Sequence, residues 1–252
     1  MFKKDKSTIL SISNQKGGEG KTTISLGLAE AFSKSTPTLL VDWDPQANST
    51  RLFYPDIETS SWAAIPYKGK QTVSVESILH PLKDNLTLLP SGLDLANFTT
   101  AFERDDFDRL KDLLDPLRKK FPMIVIDCPP ALGLLLENAL IASDSVLIPI
   151  QTRAFSVQGI ADLNETISKL QKKANPDLKL LGAVLNQFED KKALSGLKET
   201  IRKNFPVFET YIPKKESIPQ SQAKRKFLGD YDKETFSVFL ELAKEIGEKS
   251  NV

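Results

Sequence analysis

The stretch that decides the fold is SISNQKGGEGKTT, Ser11 to Thr23. A short apolar run, Thr8–Ser13, leads into it, and a run with helical periodicity, Lys21–Ser33, leads out of it. A strand that turns through glycines directly into a helix brings successive backbone N–H groups toward one point, at the positive end of the helix dipole. Gly17, Gly18 and Gly20 allow the chain to make that bend. Phosphate is the ligand class that suits such a cradle. Lys21 is placed to reach β- and γ-phosphates, the Thr22 hydroxyl to ligate Mg²⁺, and Thr23 to offer a further hydroxyl to the α-phosphate. The spacing lacks the usual first glycine one place earlier, where Lys16 stands instead.

Two further strand ends carry carboxylates. The run Thr38–Asp42 opens VDWDPQAN, which contains Asp42 and Asp44, and Met123–Asp127 opens DCPP. In a parallel sheet the loops at the carboxyl ends of the strands form the ligand crevice, so all three acids should approach the phosphate loop. One carboxylate can hold the water shell of a metal while another orients or deprotonates an attacking water. Asp127, after four apolar residues, has the Walker B pattern and would complete the Mg²⁺ environment.

Strand candidates Leu86–Leu89, Ser145–Ile150 and Lys179–Leu185 alternate with helix candidates Leu93–Phe102, Phe107–Lys119, Leu134–Ala142, Ser156–Lys173 and Ala193–Asn204. Near-continuous apolar runs such as MIVID and SVLIPI suit strands buried on both faces. The β–α alternation predicts a three-layer, doubly wound α/β domain on a mainly parallel sheet, of the P-loop NTPase type. Phe53–Gln71, with its YKGK turn signal, reads as an ordered surface insertion.

Composition narrows the function. The chain has 252 residues, 40% hydrophobic and 27% charged, enough for a sizeable core. Lys plus Arg total 34 against 33 Asp plus Glu, a net charge of +1, so any nucleic-acid contact must come from a local patch. One cysteine and one histidine exclude, within one chain, a disulfide framework, a cysteine-ligated cluster and a multi-histidine metal site. Cys128, beside a strand end, reads as structural. The N-terminal apolar run is too short for a signal peptide, and no stretch reaches the roughly 18 to 20 apolar residues of a membrane span, so a cytoplasmic location is expected.

With lysines at both ends of the loop, NQKGGEGKTT resembles the deviant Walker A ATPases, and specifically the ParA branch that partitions chromosomes and plasmids. VDWDPQAN, LTLLPSGLDLA, SVLIPIQTRAFSVQGI, VLNQF and YIPKKESIPQSQAKRK extend the resemblance over nearly the whole chain. It implies ATP and Mg²⁺ as cofactors. It also implies Lys16 reaching the nucleotide of a partner in an ATP-bound homodimer, Asp44 acting on the hydrolytic water, and Asp42 near the metal. Asn186 and, through its backbone, Pro213 would surround the adenine. The implied activity is ATP hydrolysis, weak until stimulated by a ParB-like centromere-binding protein, with the dimer on nonspecific double-stranded DNA of the nucleoid. Lys214, Lys215, Lys224, Arg225 and Lys226, with only Glu216 opposing them, are the candidate DNA contacts.

Several features set limits. Glu19 occupies a loop position where the family usually has valine, so its carboxylate either faces a polyanion or points to solvent. Arg153 replaces an acidic residue common in the family. The first strand starts so near residue 1 that an N-terminal helix-turn-helix domain is not expected, leaving one ATPase domain over 1–252. A MinD-like membrane ATPase would end in a basic amphipathic helix, whereas Lys233–Lys249 carries Glu234, Glu241, Glu245 and Glu248 opposite Phe236, Phe239, Leu240, Ala243 and Ile246. That helix is expected to pack on the core. A cargo-positioning ATPase of the same branch, or an adaptor that holds nucleotide with little turnover, remains as an alternative.

Overall fold

The computed structural model describes residues 7–66, 72–102, 106–151, 157–188, 191–202 and 205–250. Arg153 and the YKGK turn lie outside the described residues. Seven strands form one sheet: β1 Thr8–Ile12, β2 Thr38–Asp42, β3 His80–Lys83, β4 Leu86–Leu89, β5 Met123–Asp127, β6 Ser145–Gln151 and β7 Lys179–Asn186. Their order is β3-β4-β2-β5-β1-β6-β7, parallel throughout except for the β3–β4 pair.

The β3 hairpin arm is absent from the strands expected from the sequence. His80-Pro81-Leu82-Lys83 has no apolar run, and a proline is compatible with a strand only at an edge, which is where β3 lies. The residues expected to form one helix over Leu93–Phe102 instead form a 3₁₀ turn, Leu93–Asn97, followed by a single α turn, α3 Phe98–Ala101. The helix expected over Phe107–Lys119 is α only over α4 Arg109–Leu114 and tightens to 3₁₀ over Asp115–Lys119, where Pro116 sits in the first turn. The remaining helices are α1 Lys21–Ser33, α2 Asn48–Phe53, α5 Leu134–Ala142, α6 Val157–Lys173, α7 Lys191–Arg202, α8 Ser217–Ala223, α9 Leu228–Tyr231 and α10 Lys233–Ser250.

Successive strand residues face opposite sides of the sheet, and both sides are covered. Ile9, Val41, Ile124, Ile126 and Ile148 enter a core shared with α4, α5 and α6, while Leu10, Ile12, Leu40, Val125 and Leu147 enter one shared with α1 and α10. In α10, Phe236, Phe239, Leu242, Ala243 and Ile246 are buried and Leu240 is exposed, so the helix packs on the core through Leu242 instead of Leu240. A Cβ on Gly27 of α1 would stand 2.3 Å from the Phe239 ring, so this close helix contact requires glycine. Among the described residues, no helix is long and apolar enough to cross a membrane.

The described part of the Phe53–Gln71 segment is ordered against the carboxyl edge of the sheet. Ser61 N–H donates to the Pro90 carbonyl at 2.8 Å, the Ser60 hydroxyl to Asp94 at 2.7 Å, and Trp62 meets the Phe102 ring edge-on.

Candidate nucleotide site

β1 ends at Ile12, and the chain turns over the carboxyl edge of the sheet through Ser13–Gly20 into α1. Gly18 (φ 82°) and Gly20 (φ 91°) adopt left-handed backbone, which a side chain would strain. Asn14 holds the start of the loop: its amide donates to the Pro149 carbonyl at 2.7 Å and its oxygen accepts from Lys16 N–H at 3.0 Å. No acidic residue lies in the first turn of α1, which leaves the helix N-terminus electropositive. Lys21 is buried, and its Nζ donates to the Lys16 carbonyl across the loop at 3.3 Å. Burial draws its pKa down, opposed by the charges of Asp127, Asp44 and Glu19.

Asp127 and Asp44 lie within electrostatic reach of Lys21, with Asp42 beside both, and the three environments differ. Asp42 and Asp127 are register partners on β2 and β5, exposed 0% and 1%. Asp127 accepts from the Ser49 hydroxyl at 2.7 Å and the Ser25 hydroxyl at 3.2 Å, and the Thr22 hydroxyl also reaches it. Asp42 turns away onto α2: one oxygen accepts from both the N–H and the hydroxyl of Thr50, each at 2.8 Å, and the other from Asp44 N–H at 3.3 Å. Both oxygens accept hydrogen bonds, and Asp42 supports the Asp44 turn. Burial raises the pKa of both acids, and for Asp42 the neighbouring Asp127 adds to the rise.

Asp44 is half-buried. Its carboxylate accepts from Gln46 N–H at 2.9 Å, closing an Asx turn, and its carbonyl accepts from the Ser91 hydroxyl at 2.7 Å. Burial raises its pKa, while the Gln46 N–H and the Lys21 charge pull it down. Ser25, Ser49 and Thr50 were not singled out from the sequence. The NST run after Asp44-Pro45 reads there as turn composition, and only the path of α2 beneath both strand ends gives it a role.

Glu19 does not point to solvent. Its side chain is 3% exposed, accepts from Gln151 N–H at the end of β6, and lies 3.9 Å from Lys16 Nζ. Its carbonyl accepts from Asn186 Nδ2 at 2.8 Å. A Cβ on Gly20 would stand 1.9 Å from that same Nδ2, so Asn186 and the loop are mutually fitted. Beside them a cavity of about 240 Å³ is lined by Thr23, Asn186, Pro213, Lys214, Lys215 and Gln222, among others. The Thr23 hydroxyl accepts from Gln222 Nε2 at 3.2 Å. Asn186 and Pro213 thus share one cavity at the loop.

The basic run spans two local settings. Lys214 and Lys215 line that cavity, whereas Lys224, Arg225 and Lys226 occupy the exposed turn that ends α8. There Lys226 N–H donates to the Ser221 carbonyl and Arg225 N–H to the Gln222 carbonyl, a Schellman end with Arg225 at φ 52° in the position glycine usually fills. Lys224 Nζ donates to the Tyr231 hydroxyl at 3.1 Å.

A glycine-rich strand-to-helix loop with two lysines, above buried carboxylates on neighbouring strand ends of a parallel sheet, defines a P-loop nucleotide-binding protein. Residues 7–180 match the model of the AAA domain family. The chain is 35% identical over 248 residues to the chromosome partitioning protein ParA of Myxococcus xanthus, a match spanning 94% of this chain and 87% of that protein. It superposes with a TM-score of 0.82 on cobyrinic acid a,c-diamide synthase from Mycobacterium smegmatis with bound ATP analog and magnesium, at 28% identity and over 98% of this chain and 97% of that one. A Borrelia burgdorferi plasmid partition protein bound to AMPPNP gives a TM-score of 0.75 at 28% identity, over 94% and 99% of the two chains. The chain belongs to the AAA domain family, as a ParA-type ATPase.

Proposed function

We propose that this protein is a Mg²⁺-dependent ATPase that drives DNA partitioning. In this reading ATP joins two copies into a dimer, the dimer binds nonspecific DNA on the nucleoid, and a ParB-like partner stimulates the hydrolysis that releases it. The single 1–252 domain would carry the whole cycle. The observation that carries the reading is the convergence of Lys21, Thr22, Asp44 and Asp127 at the loop of a chain 35% identical to a ParA.

The residues fit Mg-ATP. A Cβ on Gly17 or Gly18 would meet nothing within 4 Å, so the crest of the loop is open. Among the described residues no group of three or more His, Cys, Asp or Glu is arranged to hold a metal ion. Mg²⁺ takes one or two protein ligands and completes its shell with phosphate oxygens and water. Thr22 and Asp127 would hold it, and the bound ion would neutralise charge on the β- and γ-phosphates. Lys21 would counter the same charge from the loop. Lys16, at the loop's outer edge, would serve the nucleotide of the second copy. Asp44, half-buried and within electrostatic reach of Lys21, would orient the attacking water and take its proton. Asn186 and the Lys214–Lys215 side of the cavity would receive the base and its ribose.

The test is phosphate release with and without DNA and partner, together with light scattering in ATP. Low basal turnover that rises with both additions, and a dimer seen only with ATP, are expected. An enzyme that stays monomeric in ATP and hydrolyses at an unstimulated rate with the partner present would overturn the reading.

A further inference from the structure

Glu19 is a carboxylate inside a loop that must receive a polyanion, and it is nearly inaccessible to solvent. One of its oxygens is met by Gln151 N–H. The other, Oε1, has no hydrogen-bond partner among the described residues, and Lys16 Nζ stands 3.9 Å from it. A buried carboxylate oxygen without a hydrogen bond is costly unless a cation compensates it. Lys16 supplies that cation from the half-exposed edge of the loop, with its side chain 52% exposed. Anything that draws Lys16 toward a phosphate therefore also strips Glu19 of a compensating charge.

We propose that Glu19 is an internal latch: it holds Lys16 on its own loop and raises the threshold for ATP-driven pairing with a second copy of this chain. The inference rests on the proposed function, in which Lys16 leaves its loop to serve the nucleotide of the partner copy. Free Lys16 and latched Lys16 are two states of one equilibrium, and ATP dimerisation draws on the free one, so the latch lowers the apparent affinity for assembly in proportion to its occupancy. Glu19 is a positioning residue. It acts through Lys16, and Gln151 N–H fixes it from the end of β6. Burial raises the carboxyl pKa of Glu19, while the Gln151 N–H and then the Lys16 and Lys21 charges oppose that rise.

Glu19→Gln keeps an oxygen for Gln151 N–H and removes the charge. It should tighten ATP-dependent dimerisation by about fivefold per site, the upper range for a partly exposed ion pair. In a symmetric dimer both latches open, so the dissociation constant falls by about 25-fold, the square of that factor. A general repulsion between Glu19 and phosphate would also favour the variant, but it would act equally on ADP binding to the monomer and would survive removal of Lys16. The experiment is therefore a double-mutant cycle by analytical ultracentrifugation in a non-hydrolysable ATP analogue, with Glu19→Gln, Lys16→Ala and the pair, alongside ADP affinities. The latch requires tighter dimerisation in Glu19→Gln, unchanged ADP affinity, and no effect of Glu19→Gln in the Lys16→Ala background. An equal gain in that background, or a matching gain for ADP, overturns it. Glu19→Val, which cannot accept from Gln151 N–H, separates loss of anchoring from loss of charge: tighter dimerisation in Gln but not in Val still supports the latch. If wild type fails to dimerise at all while binding the analogue, the proposed function fails and not the latch alone.

Discussion

The carboxylates under the phosphate loop and the basic turn after α8 both concentrate charge, yet they are built oppositely. Asp42 and Asp127 are exposed 0% and 1%, and Thr50, Ser49 and Ser25 hold them in place. Lys224, Arg225 and Lys226 are exposed, and Lys224 is tethered to the Tyr231 hydroxyl. A buried charge has its position and ionisation set by neighbours, so a single change there is felt strongly. An exposed cation acts through the surrounding field, is screened within about 8 Å at physiological salt, and adds in small increments. All five cations of the Lys214–Lys226 run are exposed and belong to the second regime, although Lys214 and Lys215 also line the cavity beside Asn186.

The largest effect should come from Lys21→Ala. Loss of a buried cation that meets phosphate costs about 2–5 kcal/mol of ATP affinity, whereas the nucleotide-free fold should change less in stability, because the cost of burying the cation opposes its attraction to Asp127, Asp44 and Glu19. Titration with a fluorescent ATP analogue, beside thermal melting, checks both halves. Next comes Asp44. Asp44→Ala and Asp44→Asn should each lower stimulated turnover by about 10²- to 10⁴-fold and still dimerise in ATP. Asn can keep accepting from Gln46 N–H, so only the alanine variant should also lose about 0.5–1.5 kcal/mol of stability. A variant that stays monomeric in ATP would place Asp44 in assembly.

A third prediction concerns pH. The Asp42 carboxyl pKa is raised by burial and by Asp127. A group whose folded pKa lies above its unfolded value stabilises the fold below the unfolded value, and that contribution is lost as pH rises through the folded one. The nucleotide-free protein should therefore melt at lower temperature as pH goes from mildly acidic to mildly alkaline, and Asp42→Asn should flatten that slope. A slope of opposite sign would show the pair held fully ionised.

The exposed region should give the smallest changes. Replacing Lys224 and Lys226 with alanine should reduce the slope of log affinity against log salt for DNA by up to about 1.8, from 0.9 per lost phosphate contact, equally across DNA sequences. Lys214 and Lys215 to alanine should instead weaken nucleotide binding, since both line the cavity beside Asn186. Arg225→Gly should leave stability unchanged or raise it by up to about 1 kcal/mol, because the left-handed backbone at φ 52° is strained for arginine. The same variant should weaken DNA binding. No loss of DNA affinity or slope in any of the three turn variants would move the DNA surface elsewhere.

Six of the seven strands were legible as apolar β-branched runs, because strands buried on both faces must be apolar throughout. The phosphate loop was legible for a related reason: left-handed backbone at Gly18 and Gly20 and an electropositive helix start need particular residues at fixed spacing. The alternation of strands and helices likewise implied the layers. Local pattern did not reveal β3, whose proline-bearing edge is defined only by pairing with β4, nor the tightening of the 107–119 helix to 3₁₀ at Pro116.

Tertiary structure alone decided what each charge meets. That Asp42 accepts from Thr50, that Ser49 and Ser25 hold Asp127, and that Asn186 closes on Gly20 are contacts across 8, 78, 102 and 166 positions of chain, which no local pattern encodes. The burial of Glu19 is of the same kind. Its sequence neighbours are glycines and lysines, and a carboxylate among them suits solvent equally well. Only the arrival of the β6 end at Gln151, 132 positions away, turns it inward and sets it against Lys16. Residue types at fixed spacing thus specify which chemistry is possible, and the long-range packing of strand ends specifies which of those groups remain open to carry it out.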